Sequence, residues 1–249
     1  MNILINLATL MRMRPTLITI ILAAFLWLPG LYGQQLSITD YLAECERKYG
    51  SDADLVNGAK YYYPYRQSQG DPFLFPESRA AMIKIHDKEF DGQLLRYDIF
   101  NQQLILDFKD LFGATNSLVL TEEWVKAFAF ENRHFVRMKD SEGQFSYFQL
   151  ISDGQLSCVY KWSKGYQLNL NSGVQSYYFT EPNKDAFLVL DGQFYSYRSN
   201  RSFIKALDPA LQKTVKQFMK QSNVKVNKAP DAQIRHLVEY CNSLYHEDS

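Results

Sequence analysis

Turn signals recur about every ten residues through the second half of this chain, the spacing of an antiparallel meander. They are Asp140-Ser141-Glu142-Gly143, Ser152-Asp153-Gly154, Ser163-Lys164-Gly165, Asn171-Ser172-Gly173 and Asp191-Gly192. Each supplies a residue able to take a positive φ and an Asx or Ser side chain able to cap its own turn. The runs between them, 134–138, 145–151, 155–162, 165–170, 176–180, 186–190 and 194–198, are rich in β-branched and aromatic residues. Upstream, Met82–His86, Gln93–Ile99, Gln103–Phe108 and Ser117–Leu120 have the same character. With 17 Tyr and 17 Phe among 249 residues, the composition favours strands and large buried areas.

Other segments have a helical period. Ile38, Tyr41, Leu42, Cys45 and Tyr49 form one stripe, closed by Gly50, which predicts a helix over 37–49. Thr121, Glu122 and Glu123 ahead of Trp124, Val125 and Phe128 predict one helical insert within the strands. The apolar positions Phe203, Leu207, Leu211, Val215, Phe218 and Met219 predict helix with a break near Asp208, where Pro209 suits a first turn. A last helix is expected from Asp231 to Tyr245. Asn57-Gly58 is expected to be a tight turn between Leu55-Val56 and a strand at 60–65. The fold class is therefore α+β, mainly β: a curved antiparallel meander sheet, with a half-barrel as one form of it. It has an N-terminal helix, one inserted helix and two or three C-terminal helices. Residues 34–249 read as a single domain, β-rich over 55–198 and helical over 200–246.

The first 33 residues read as a secretory signal. Arg12 and Arg14 precede an apolar run from Thr16 to Leu28, Pro29-Gly30 break it, and Gly33 offers a small residue before Gln34. The run is short for a membrane anchor and is interrupted by Pro and Gly. A lipoprotein signal needs a cysteine where Gln34 stands. The expectation is a periplasmic or extracellular protein with no stable membrane span after cleavage. The chain carries 27 basic and 27 acidic residues, and this balance speaks against nucleic acid as a partner.

The search for chemistry is largely negative. There is no nucleophile elbow, zinc-binding His pair, phosphate loop or dinucleotide fingerprint. His86, His134, His236 and His246 have no second ligand at a metal spacing, so no metal and no cofactor are expected. Cys158 reads as a buried core thiol. Cys45 and Cys241 sit on the apolar stripes of two predicted helices, where a core position and a disulfide between them both fit. Asp98 stands on a strand with apolar residues on both faces, so a buried carboxylate there needs a partner. Arg96 on the same face, or Lys84 or Arg79 on a neighbouring strand, is placed to supply one. Tyr61, Tyr63, Tyr97, Tyr195 and Tyr197, with Asp98, are the candidate ligand-binding residues. Exposed tyrosines on a sheet can stack on sugar rings or meet a partner, and cross-strand pairs that only stabilise the sheet are the competing explanation.

Several pieces of the chain carry a resemblance: Val56-Asn57-Gly58 with Tyr61, Gly70-Asp71-Pro72-Phe73, Leu94-Leu95-Arg96-Tyr97-Asp98-Ile99 with Gln103-Leu104, Phe194-Tyr195 with Tyr197, Ser202-Phe203-Ile204, and Val215-Lys216 with Phe218. In these the chain resembles an uncharacterised family of exported proteins from Gram-negative bacteria. The resemblance implies export and a common fold and carries no functional residues with it. The family pattern reads Gly-His-Pro where this chain has Gly70-Asp71-Pro72.

Two functions fit these observations. One is a non-enzymatic envelope protein, an interaction or ligand-binding module whose partner is an envelope protein or an apolar or glycan ligand. The other is a carboxylate-dependent hydrolase acting on envelope glycans, with Asp98 paired to Asp107 or Glu89 across a cleft.

Overall fold

The computed structural model describes residues 52–110, 112–169 and 176–247. The expected signal segment and the helix over 37–49 lie outside them. The described chain is mainly antiparallel sheet: one open sheet of 11 strands, a second of three, and three C-terminal helices.

The strands in chain order are β1 (Ala59–Lys60), β2 (Ser68–Gln69), β3 (Arg79–Ile85), β4 (Lys88–Asp98), β5 (Gln103–Lys109), β6 (Thr115–Val119) and β7 (Val125–Phe130). They continue as β8 (Arg133–Lys139), β9 (Phe145–Ser152), β10 (Leu156–Ser163), β11 (Tyr166–Asn169), β12 (Ser176–Phe179), β13 (Asn183–Leu190) and β14 (Gln193–Tyr197). The large sheet runs β1-β6-β5-β4-β3-β7-β8-β9-β10-β13-β14. It consists of two meanders joined back to back, because β7 pairs with β3 rather than with β6.

That joint curls the sheet. On a flat sheet β6 and β7 would lie about 19 Å apart, four strand spacings. Residues 120–124 connect them, and 122–124 of these form a turn. The link is anchored at both ends, by Leu120 N–H on Leu104 O and by His86 N–H on Trp124 O, each 2.9 Å. Fully extended, such a link would just reach that far, but with 122–124 in a turn it is shorter, so the intervening strands bend towards each other. One core cluster accordingly gathers Ile83, Tyr97, Leu106, Leu118, Phe128, Phe135 and Tyr147 from seven strands and fills the concave side.

The helical insert expected after Thr121 is instead a turn followed by β7. Lys126 is the extra residue of a β-bulge: Ile85 faces Val125 while Lys84 faces Ala127. The bulge places Val125 and Phe128, three apart, on one face of a strand, and so reproduces a helical spacing. The expected Asn57-Gly58 hairpin is also absent. Residues 53–55 form a turn of their own, and β1 pairs with β6. Gly58 has φ +107, and a Cβ there would lie 2.0 Å from the Val119 carbonyl oxygen, so only glycine lets β1 approach β6.

The helices are α1 (Asn200–Lys205), α2 (Pro209–Gln221) and α3 (Asp231–Glu247). Ser199 and Ser202 form a reciprocal capping box on α1. Asp208 caps α2 by accepting from Ala210 N–H, with Pro209 in the first turn. A second core cluster joins Leu211, Val215 and Met219 of α2 and Ile234, Leu237, Val238 and Cys241 of α3 to Leu156, Cys158, Tyr160 and Leu188 of the sheet.

Candidate functional site

Strand β4 alternates as its sequence predicts. Leu95 and Tyr97 turn into the concave core, and Arg96 and Asp98 face the other way. The segment after Pro72 lies along that strand: Leu74 N–H donates to Tyr97 O and Ile99 N–H to Pro72 O, at 2.9 and 3.0 Å.

Tyr97 is 1 % exposed. Its hydroxyl donates to Gln102 Oε1 at 2.7 Å, and its ring meets Phe128, Phe135 and Tyr147 edge-on. Burial pushes the phenol well above its ordinary range.

Asp98 is fully buried. One carboxylate oxygen accepts from the N–H groups of Phe100 and Asn101 at 3.0 and 2.8 Å, and the other from the Asn101 amide at 2.8 Å. The carboxylate thus ties the β4–β5 turn together. Burial raises its pKa, offset in part by these hydrogen bonds.

Arg96 pairs with Asp107 at 2.9 Å rather than with Asp98. Asp107 also accepts from the Ser78 and Ser117 hydroxyls. The guanidinium lies over the rings of Phe73 and Tyr61, 4.9 and 5.6 Å from their centroids. Among the described residues, the Tyr61 hydroxyl and Arg96 Nε are buried without a hydrogen-bond partner. Glu89, the other carboxylate considered with Asp98, pairs with Lys84 at 3.3 Å.

Tyr61 and Tyr63 both pack on Phe73, while Tyr62 between them is 72 % exposed. The alternation expected of a strand is therefore kept, although 61–65 is irregular. Tyr63 meets Tyr65, and Tyr65 opens onto an aromatic apex.

The apex rests on the small sheet, ordered β11-β12-β2. Direct cross-strand pairing of Tyr166 with Phe179 and of Leu168 with Tyr177 puts all four on one face. Tyr166 and Tyr177 stack at 5.0 Å with 13° between their planes. Tyr65 and Phe100 pack edge-on against Phe179 at 4.9 and 5.5 Å and also meet Tyr166. Phe100, Leu168 and Tyr177 are exposed. Polar groups border the rings: Asn101 donates its amide to Tyr65 Oη at 3.0 Å, and Ser68 Oγ lies 2.6 Å from Tyr166 Oη. None of the six rim and ring positions Tyr65, Phe100, Asn101, Tyr166, Leu168 and Tyr177 is charged.

The sequence marks 176–180 as a strand run, and nothing in it connects that run with Tyr65, Phe100 or Tyr166. The connection runs through the parallel pairing of β2 with β12, Ser68 to Tyr177 and Gln69 to Tyr178, which no local pattern announces.

Tyr195 and Tyr197 lie elsewhere, on edge strand β14. Tyr195 is partly exposed and donates to Gln193 Oε1 at 2.8 Å. Tyr197 is buried against Phe203 with its hydroxyl 3.2 Å from Cys158 Sγ. Cys158 and Cys241 are free buried thiols, and Cys45 lies outside the described residues. Among the described residues no three His, Cys, Asp or Glu side chains stand together as a metal site, and no helix is long and apolar enough to cross a membrane.

No protein-family model matches the chain, and neither does any curated protein or solved structure.

Proposed function

We propose that this protein is an exported, non-enzymatic binding module whose aromatic apex receives a neutral glycan of the cell envelope. The carrying observation is the exposed Tyr177 ring, stacked on half-buried Tyr166 and continued by exposed Leu168 and Phe100. Flat rings with accessible faces suit the apolar face of a sugar ring, and the hydroxyls and amides around them suit its hydroxyl groups. The absence of charge from the ring and rim positions favours a neutral ligand over an acidic one. Export is supported by the pattern of residues 1–33, with its two arginines, apolar core and small residue at Gly33.

The carboxylate hydrolase is less well supported. It needs two carboxylates facing a shared cleft. Asp98 is closed off by its own turn, and Asp107 is engaged by Arg96 and two serines.

The test is a neutral-oligosaccharide array probed with protein purified after expression of the full chain, alongside its Tyr177→Ala variant. Tyr177 is exposed at the sheet surface, so losing its stacking on Tyr166 should cost only about 1 kcal/mol of stability and leave the protein folded. The expected result is glycan binding that the variant loses. No binding to any neutral glycan, or binding unaffected by the variant, would overturn the reading. Processing to an N-terminus at Gln34 tests export independently.

A further inference from the structure

The chain is neutral overall, but its charge is unevenly placed. Between residues 200 and 230 stand Arg201, Lys205, Lys213, Lys216, Lys220, Lys225 and Lys228, against the single acid Asp208. Five of these cations, Arg201, Lys205, Lys216, Lys220 and Lys225, border one cavity of about 850 Å³ formed by α1, α2 and the turn after α2. None of the five pairs with a carboxylate among the described residues. Ile204, Met219 and Val224 also line the cavity and give it an apolar floor.

Two side-chain amides fix the walls of the cavity. Asn200 donates its amide to Val224 O at 2.8 Å and accepts from Val226 N–H at 2.9 Å, fixing the far wall to the start of α1. Gln212 donates to Leu207 O at 3.0 Å and holds the α1–α2 junction.

We infer that this cavity binds a single-chain anionic lipid, with its headgroup among the lysines and its acyl chain over Ile204, Met219 and Val224. Two features together select this ligand. Clustered cations with no counter-charge attract an anion and discriminate against neutral molecules. An apolar floor flanked by lysine stems rewards a hydrocarbon chain, which a free inorganic anion lacks. The volume falls within the range of about 300–1,000 Å³ typical of small-molecule sites. The site is separate from the aromatic apex and does not depend on the glycan reading.

Calorimetry with protein purified after expression of the full chain tests the inference, using decyl phosphate below its micelle concentration. Inorganic phosphate supplies the charge without the chain, and decyl maltoside the chain without the charge. One-to-one binding of decyl phosphate, about tenfold or more tighter than either control, is expected. The double variant Lys216→Glu/Lys220→Glu should weaken it by about tenfold or more. The control variant Lys213→Glu/Lys228→Glu, at cations outside the cavity lining, should leave it nearly unchanged. All four positions are exposed, and unchanged melting of both variants checks their fold. Equal affinity for inorganic phosphate would reduce the site to adventitious anion capture. Equal affinity for decyl maltoside, or equal loss in both double variants, would reduce it to surface adsorption. Any of these results overturns the inference.

Discussion

Asn242 of α3 binds both backbone groups of Leu156, the first residue of β10: its Oδ1 accepts from Leu156 N–H at 2.8 Å and its Nδ2 donates to Leu156 O at 2.9 Å. One side-chain amide thus acts as a strand partner where the chain has turned away from β9 and the β9–β10 ladder has not yet begun. Gly154 opens that turn with φ +154, and a Cβ there would lie 2.5 Å from Asn242 Nδ2. Removing the amide in Asn242→Ala leaves a donor and an acceptor unpaired and should cost about 2–3 kcal/mol in urea unfolding. Asn242→Asp keeps the acceptor but turns a charged oxygen towards the Leu156 carbonyl, so its loss should shrink as the pH falls below the carboxylate range. Gly154→Ala should destabilise on its own, and the pair Gly154→Ala/Asn242→Ala should lose less than the sum of the two.

Deletion of Lys126 should be tolerated, because it is the bulge residue. Without it, Val125 and Phe128 become alternate residues of a regular strand and keep the same inward face opposite Ile85 and Ile83. The expected loss is about 1–2 kcal/mol. Deletion of Val136 from regular strand β8 would shift every later side chain of that strand to the opposite face. Thermal melting of the two deletions should show a folded protein in the first case and none in the second.

Asp98 and Asp107 should give opposite pH dependences of stability. Burial raises the Asp98 pKa above the ordinary carboxylate value despite its hydrogen bonds. The folded state therefore holds that proton more tightly than the unfolded chain. Its contribution is full below the unfolded pKa and is lost as pH rises through the folded value. Burial also pushes on Asp107, but Ser117, Ser78 and Arg96 outweigh it and lower its pKa. That contribution is present above the unfolded pKa and is lost as pH falls through the folded value. Subtracting the stability of Asp98→Asn from wild type across the acid range should give a curve that falls with pH, and the same subtraction with Asp107→Asn a curve that rises. Two curves of the same sign would contradict these assignments.

Cys158 and Cys241 should resist alkylation in the native protein at pH 8. Burial pushes both thiols up to about 12, so the reactive thiolate is scarce and shielded. Peptide mapping after iodoacetamide should find neither modified in the folded protein and both modified in denaturant. Rapid native labelling of Cys241 would show that α3 detaches from the sheet.

Much of the strand layout was legible because turns and alternation are local. Gly143, Gly154 and Gly192 mark turns at positive φ, and the runs that flank them are β9, β10, β13 and β14. The C-terminal helices were legible for the same reason, with Asp208-Pro209 dividing α1 from α2 where capping chemistry requires it. The spacing of Val125 and Phe128 imitates a helix because the bulge at Lys126 converts a strand period into a helical one.

What each strand and side chain pairs with was decided by the tertiary structure. Arg96 is two residues from Asp98 in sequence, yet it binds Asp107, eleven residues away on β5. Tyr65, Phe100, Tyr166 and Tyr177 meet only because β2 joins β12 across more than a hundred residues of chain. The cationic cavity exists only because Asn200 draws the 224–226 segment against α1. Local sequence determined the elements, since backbone conformation depends on near neighbours. Long-range packing determined the surfaces, since burying two-faced strands selects one pairing among many that the same alternation permits.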